Sequence, residues 1–169
     1  MEILQATISD AEEILGLQKL AYRIEAERYN DYNIPPLMQT LEEIQEQFKD
    51  HVFLKTVSEN IIIGTVRAHE ENGTCYIGRL AVSPEMQNRG IGAALMQEIE
   101  RCYKPVRFEL FVGSKSENNI HLYSKLGYRI FKSATYECGN IEIFHMEKIA
   151  EVPNPAFERD CAKARSPSI

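Results

Sequence analysis

Cysteine is sparse in this chain: Cys75, Cys102, Cys138 and Cys161 are its only four, and no two form a C-x-x-C pair. That spacing offers neither a zinc site nor a redox dithiol, so no metal is expected. Positive charge is also in short supply. With 19 lysines and arginines against 25 aspartates and glutamates, the formal net charge is −6, whereas a nucleic-acid binder carries a basic face. No apolar run approaches the roughly 18 residues of a membrane span. The first residues, "MEILQATISDAEE", are acidic and lack the basic-then-apolar pattern of a secretory leader. A Gly-Lys pair is missing throughout, which excludes the P-loop pattern G-x-x-x-x-G-K-[ST]. These absences lead us to expect a reduced, cytoplasmic protein with neither a nucleic-acid nor a membrane partner.

The 169 residues suit one domain large enough to bury a core. "EILQATI" (2–8) reads as a strand. Ser9 and Glu12 then have capping-box spacing, and Ile14, Leu17, Ala21 and Ile24 recur at helical spacing up to Asn30. Pro35 and Pro36 interrupt the pattern, and Thr40 with Glu43 opens a second helix running through Phe48. Segments 51–59, 61–70 and 74–83 read as an antiparallel meander turning at Glu59–Asn60 and Glu71–Gly73. A helix starting near Arg89, a strand at 105–113, a helix at 116–127 and a hairpin around Cys138-Gly139-Asn140 complete the order. Because a helix joins segments 74–83 and 105–113, these two strands should run parallel. The proline-bearing tail from Glu151 to Ile169 is expected to be a surface-lying or partly disordered extension.

Between strand 74–83 and its helix lies "AVSPEMQNRGIGAALM" (81–96), with Gly90 and Gly92 at the junction. A helix N-terminus has unpartnered N–H groups and partial positive charge, and so suits a phosphate. Gln87 to Ala93 would form that turn, with the Arg89 guanidinium facing the anion. A dinucleotide fingerprint would instead want G-x-G-x-x-G/A, and Leu95 occupies its third position. A tight junction whose glycines only relieve crowding is the remaining reading.

"QNRGIGA" (87–93), following "LAVSP", resembles the Q/R-x-x-G-x-G/A pyrophosphate motif of the GNAT acetyltransferase superfamily. "SENNIHLYSKLGY" (116–128) is similar to that family's Asn-x-x-Ala-x-x-Leu-Tyr-x-x-x-Gly-Phe/Tyr segment, with one strand between the two. Ser116 stands where many members have Asn, and Asn119 where they have Ala. The resemblance covers about residues 1–150 and implies a mixed, mostly antiparallel α/β (α+β) sheet with helices on both faces. It also implies that the parallel pair 74–83 and 105–113 splays apart.

An acetyl-CoA site follows from the same resemblance. Leu80, Ala81 and Val82 would supply backbone contacts to the pantetheine, and the Val82 N–H would stabilise the oxyanion. Gln87, Asn88, Arg89, Gly90, Ile91, Gly92 and Ala93 would hold the pyrophosphate, with Ser116, Asn119, Leu122, Tyr123 and Lys125 on the far side. Tyr123 matches the general acid. The places where related enzymes carry a base are Tyr76 and Gly78, neither an ordinary base, so Glu109 becomes the candidate, with His69 and Glu70 behind it. His51, His121 and His145 read as structural or exposed. Segment 25–40, with three carboxylates, Tyr29, Tyr32 and a rigid Pro-Pro, reads either as a solvated inter-helix loop or as a lid selecting the amine, and a homodimer is expected by resemblance. The implied function is acetyl transfer to a primary amine of a small molecule or peptide, in a ternary complex. A non-catalytic acyl-CoA-binding module of the same fold is the alternative.

Overall fold

The computed structural model describes residues 2–136 and 141–150. Among them seven strands form one sheet: β1 (Ile3–Gln5), β2 (Val52–Ser58), β3 (Ile61–Glu71), β4 (Thr74–Val82), β5 (Arg107–Gly113), β6 (Arg129–Tyr136) and β7 (Ile141–Ile149). Their order is β1-β2-β3-β4-β5-β7-β6. The α-helices are α1 (Ala11–Tyr29), α2 (Pro35–Met38), α3 (Leu41–Gln47), α4 (Ile91–Arg101) and α5 (Glu117–Lys125). The expected tail from Glu151, and the tip of the last hairpin, lie outside the described residues.

Both meander turns are two-residue loops of left-handed residues. Glu59 and Asn60 have φ of 51° and 64°, and Asn72 and Gly73 have 50° and 78°. Two positive φ values in succession match the right-handed twist of the flanking strands. The Thr40 box forms as the spacing predicts, with Thr40 Oγ1 accepting the Glu43 N–H at 3.2 Å and Glu43 Oε2 accepting the Thr40 N–H at 2.9 Å. The box expected at Ser9 lies two residues earlier. Asp10 Oδ2 accepts the Thr7 N–H at 2.9 Å, and a short 3-10 turn (Ile8–Asp10) leads into α1. Both start with a hydroxyl residue three before an acid, so spacing alone does not separate them. The two prolines end no helix; they begin α2 as its first residues, where a missing N–H costs nothing.

The sheet is covered on both faces. On one, Val66, Ala68, Cys75, Ile77, Phe108, Leu110 and Met146 pack with Leu95, Met96 and Ile99 of α4 and with Tyr123 and Tyr128. On the other, Phe53, Ile62 and Ala81 pack with Ala11, Ile14 and Leu17 of α1 and Ile44 of α3. Strand alternation thus divides the side chains of the sheet between these two cores.

One pairing interrupts this order. β4 and β5 run parallel and are in register only at Thr74–Arg107, Cys75–Phe108 and Tyr76–Glu109. Beyond Tyr76 they separate, although β5 stays paired with β7 through Gly113. A register shift between β3 and β4 lies at the same level, between Thr65 and Arg67, and Arg79 takes φ of 55° there. A bulge of this kind bends one strand away from its neighbour. It turns the end of β4 away from β5.

Candidate active site

Backbone groups at the end of β4 face the gap. Ser83 N–H donates to Ile63 C=O at 2.8 Å, which makes Gly64 and Val82 a non-hydrogen-bonded antiparallel pair. The N–H and C=O of Val82 therefore point away from β3, toward β5. Gln87 Nε2 donates to that carbonyl at 3.2 Å. The next turn begins at Gly90, whose φ of 80° suits glycine and sets the start of α4. The first bond of the helix runs from Ala94 N–H to Gly90 C=O at 3.0 Å, so the N–H groups of Ile91, Gly92 and Ala93 have no partner within it. Gly92 serves a different purpose: a Cβ there would lie 3.4 Å from Leu122 and 3.7 Å from Leu80, filling the space between β4 and α5.

A cavity of about 370 Å³ occupies this space, lined by the end of β4, the 86–93 turn apart from Arg89, α5 and the second half of α1. Leu80, Ala81, Val82, Gln87, Asn88, Gly90, Ile91, Gly92, Ala93, Asn119, Leu122 and Lys125 all line it. Three expected residues stand elsewhere. Arg89 is exposed on the turn. Ser116 is buried at the start of α5, and its hydroxyl hydrogen-bonds the Glu25 carboxylate. Tyr123 is buried behind the wall, its ring 6.2 Å from that of Tyr128. Burial pushes the Tyr123 phenol well above the ordinary range, and Tyr22 and Glu25 of the wall add to the shift.

The part of the α1 wall before Glu25, and its place beside the first cavity, are what sequence reasoning missed. Ala21, Glu25 and Arg28 recur at helical spacing along one face, and all three line the cavity with Tyr22. Glu25 is held by Arg28 at 2.5 Å, and the Tyr29 hydroxyl accepts the Lys115 N–H at 2.7 Å. The front of the expected lid thus belongs to a long helix tied to the β5–α5 junction. Only the spacing of 21, 25 and 28 hinted at it, and that spacing also fits an ordinary solvated helix face.

A second cavity, of about 390 Å³, lies against the β3–β4–β5 surface and is lined by His51, Arg67, His69, Tyr76, Gly78, Glu109, Phe111 and His145 among others. Arg67 is paired in register with Phe53, so this is the face covered by α1 and α3. Glu109 is ion-paired with Arg107, and Glu109 Oε1 lies 3.4 Å from His145 Nδ1. Burial lowers the His145 pKa, with Lys132 adding to the shift, so its ring is neutral at pH 7. His51 and His69 have ring centroids 4.4 Å apart, and His69 stacks on Tyr76 at 5.3 Å. Read from sequence as structural or exposed, His51 and His145 both line a cleft; His121 lines the first cavity. Among the described residues no group of histidine, cysteine and carboxylate side chains is arranged to hold a metal ion, and no helix is long and apolar enough to cross a membrane.

Consecutive parts of one strand thus wall both spaces, Tyr76–Gly78 the second and Leu80–Val82 the first. The acetyltransferase (GNAT) family model matches residues 14–128, and the chain belongs to that family. Acetyl-CoA is the family's acetyl donor. No curated protein sequence matches. The fold is similar to that of a PaiA N-acetyltransferase from Thermoplasma acidophilum in complex with coenzyme A. That likeness has 20% identity and a TM-score of 0.73, covering 88% of this chain and 98% of that one. It is similar also to a ribosomal-protein-alanine N-acetyltransferase from Brucella melitensis, at 16% identity and TM-score 0.73, covering 89% and 100%. An aminoglycoside 6'-acetyltransferase type Ii gives 19% identity and TM-score 0.70, covering 92% and 100%.

Proposed function

We propose that the protein transfers an acetyl group from acetyl-CoA to a primary amine, with the donor in the first cavity and the acceptor in the second. The observation that carries this reading is the separation of β4 from β5 beyond Tyr76, with the N–H of Val82 facing the gap. Buried backbone groups need partners, and the pantetheine amides are of the right kind. The free N–H groups of Ile91, Gly92 and Ala93, with Lys125 and Arg28 nearby in the lining, suit the pyrophosphate.

Bound there, acetyl-CoA supplies a thioester activated toward amines. The Val82 N–H holds the thioester oxygen as negative charge grows on it. Tyr123, next in the chain to the lining residue Leu122 though not itself in the lining, is the candidate to give its phenolic proton to the departing sulfur, as the carbon–sulfur bond breaks and the carbon–nitrogen bond forms. Glu109, with neutral His145 beside it, takes the proton the amine nitrogen must lose. The acceptor must be neutral when it attacks, so a base pair within the second cavity suits that task.

The test is release of free thiol from acetyl-CoA over a broad panel of primary amines. Release that depends on an amine, with the acetylated amine found by mass spectrometry, supports the proposal. Binding of CoA, read as a raised melting temperature, without thiol release for any amine would instead favour a non-catalytic acyl-CoA-binding module.

A further inference from the structure

Among the described residues, two buried side-chain polar atoms have no hydrogen-bond partner, and both are on arginines: Arg67 Nη1 and Arg79 Nε. Native interiors rarely leave such donors unpaired, although both residues are half-buried as a whole. We infer that these two guanidinium groups bind a carboxylate on the acceptor, so that the substrate is an amino acid or a short peptide whose amine lies beside an acid group. The inference rests on the acetyl-transfer reading and names the substrate class of that same site.

Several observations converge on it. Arg67 lines the second cavity, and Arg79 sits on β4 between the stretches that wall the two cavities. Burial first, and the Arg79 charge second, push the Arg67 guanidinium down to about 10; it is still charged at pH 7. Burial likewise lowers Arg79, with Tyr22 opposing. Of the carboxylates around this cavity, exposed Glu71 stands at the lining, and the others have partners. Glu25 is bound to Arg28 and Ser116, Asp50 to His51 at 2.5 Å, and Glu109, the proposed base, already sits against Arg107 and His145. Arg107, on the same sheet face, shows what a satisfied arginine looks like here, with Glu147 at 2.8 Å as well as Glu109.

Arg79 also holds a left-handed backbone, φ 55°, at the bulge. A residue other than glycine in that region is strained, and such strain collects at ligand sites. A guanidinium offers a fork of donors that matches both oxygens of a carboxylate. The same charges repel a polycation, so a polyamine or aminoglycoside acceptor, which the overall charge of −6 would favour, is disfavoured beside Arg67 and Arg79.

The test compares free amino acids with their C-terminal amides, Asp- and Asn-initiated peptides, spermidine and kanamycin, by thiol release at saturating acetyl-CoA. Carboxylate-bearing acceptors are expected to exceed their amides in kcat/KM by about 10- to 100-fold, the range for one lost hydrogen bond to a charged group. The Asp-initiated peptide separates a side-chain acid from a free amino acid as the source of the carboxylate. In Arg67→Met and Arg79→Met the acid-to-amide ratio should fall toward one, mainly through KM. The melting shift with CoA reports that each variant is folded, and the wild-type comparison stands without any variant. Equal rates for acids and amides, or a preference for spermidine or kanamycin, would overturn the inference while leaving acetyl transfer intact. Silence over the whole panel, with CoA bound, would overturn the transfer reading itself.

Discussion

Tyr123→Phe should lower kcat by about 100- to 10,000-fold, the usual contribution of a positioned general acid, while acetyl-CoA binding is retained. The substitution removes one hydroxyl and leaves the ring that packs against Tyr128, so the core keeps its shape. Burial holds the Tyr123 proton far above the working pH, with Tyr22 and Glu25 adding to the effect. The phenol is therefore in its donating form at every physiological pH, and the wild-type kcat profile should carry no alkaline limb from it. Steady-state kinetics with a competent amine, beside a CoA melting shift, separates this loss from misfolding. Tyr22 is the informative control, because it lines the cavity directly and its own phenol is raised by burial. A large loss in Tyr22→Phe with little in Tyr123→Phe would move the acid to α1 and refute the assignment.

Gly92→Asp should abolish CoA binding, weakening it by at least about 100-fold, since setting like charges against each other costs several kcal/mol. The side chain would extend into the space between Leu122 and Leu80, beside N–H groups suited to phosphate. Fold stability should scarcely change. An acid in the first turn of a helix is favoured by the helix dipole, and the present backbone at Gly92 needs no glycine-specific φ. Calorimetric titration with CoA, together with thermal unfolding without ligand, reads the two effects apart. Unchanged CoA affinity would show that the anion sits elsewhere. A collapse in stability would show instead that Gly92 is needed for packing.

Why some of this was legible in the sequence and some was not has physical reasons. Apolar alternation and turn residues are local, and they correctly located β2 to β5, the hairpins at Glu59–Asn60 and Asn72–Gly73, and the parallel β4–β5 pair. The glycine turn was legible too, though its two glycines work differently: Gly90 for its φ and Gly92 for its empty space. Non-local contacts were not legible. Nothing near Ser116 in the chain announces Glu25, 91 residues away, which its hydroxyl meets. Nothing in the sequence singles out Arg67 and Arg79, because the lack of a partner is visible only once every neighbour is in place. His145 came into question in the same way, through a strand order that sets β7 beside β5 and so brings it to Glu109.

The central claim is that the gap between β4 and β5 is the acetyl-CoA site. An NMR titration of 15N-labelled protein with CoA tests it residue by residue. The account predicts the largest amide shifts at Val82, at Ile91, Gly92 and Ala93, and along Asn119 to Lys125. The hairpin at Glu59–Asn60, outside the cavity lining, should stay unmoved. Shifts centred on another surface, or none at millimolar CoA, would contradict it.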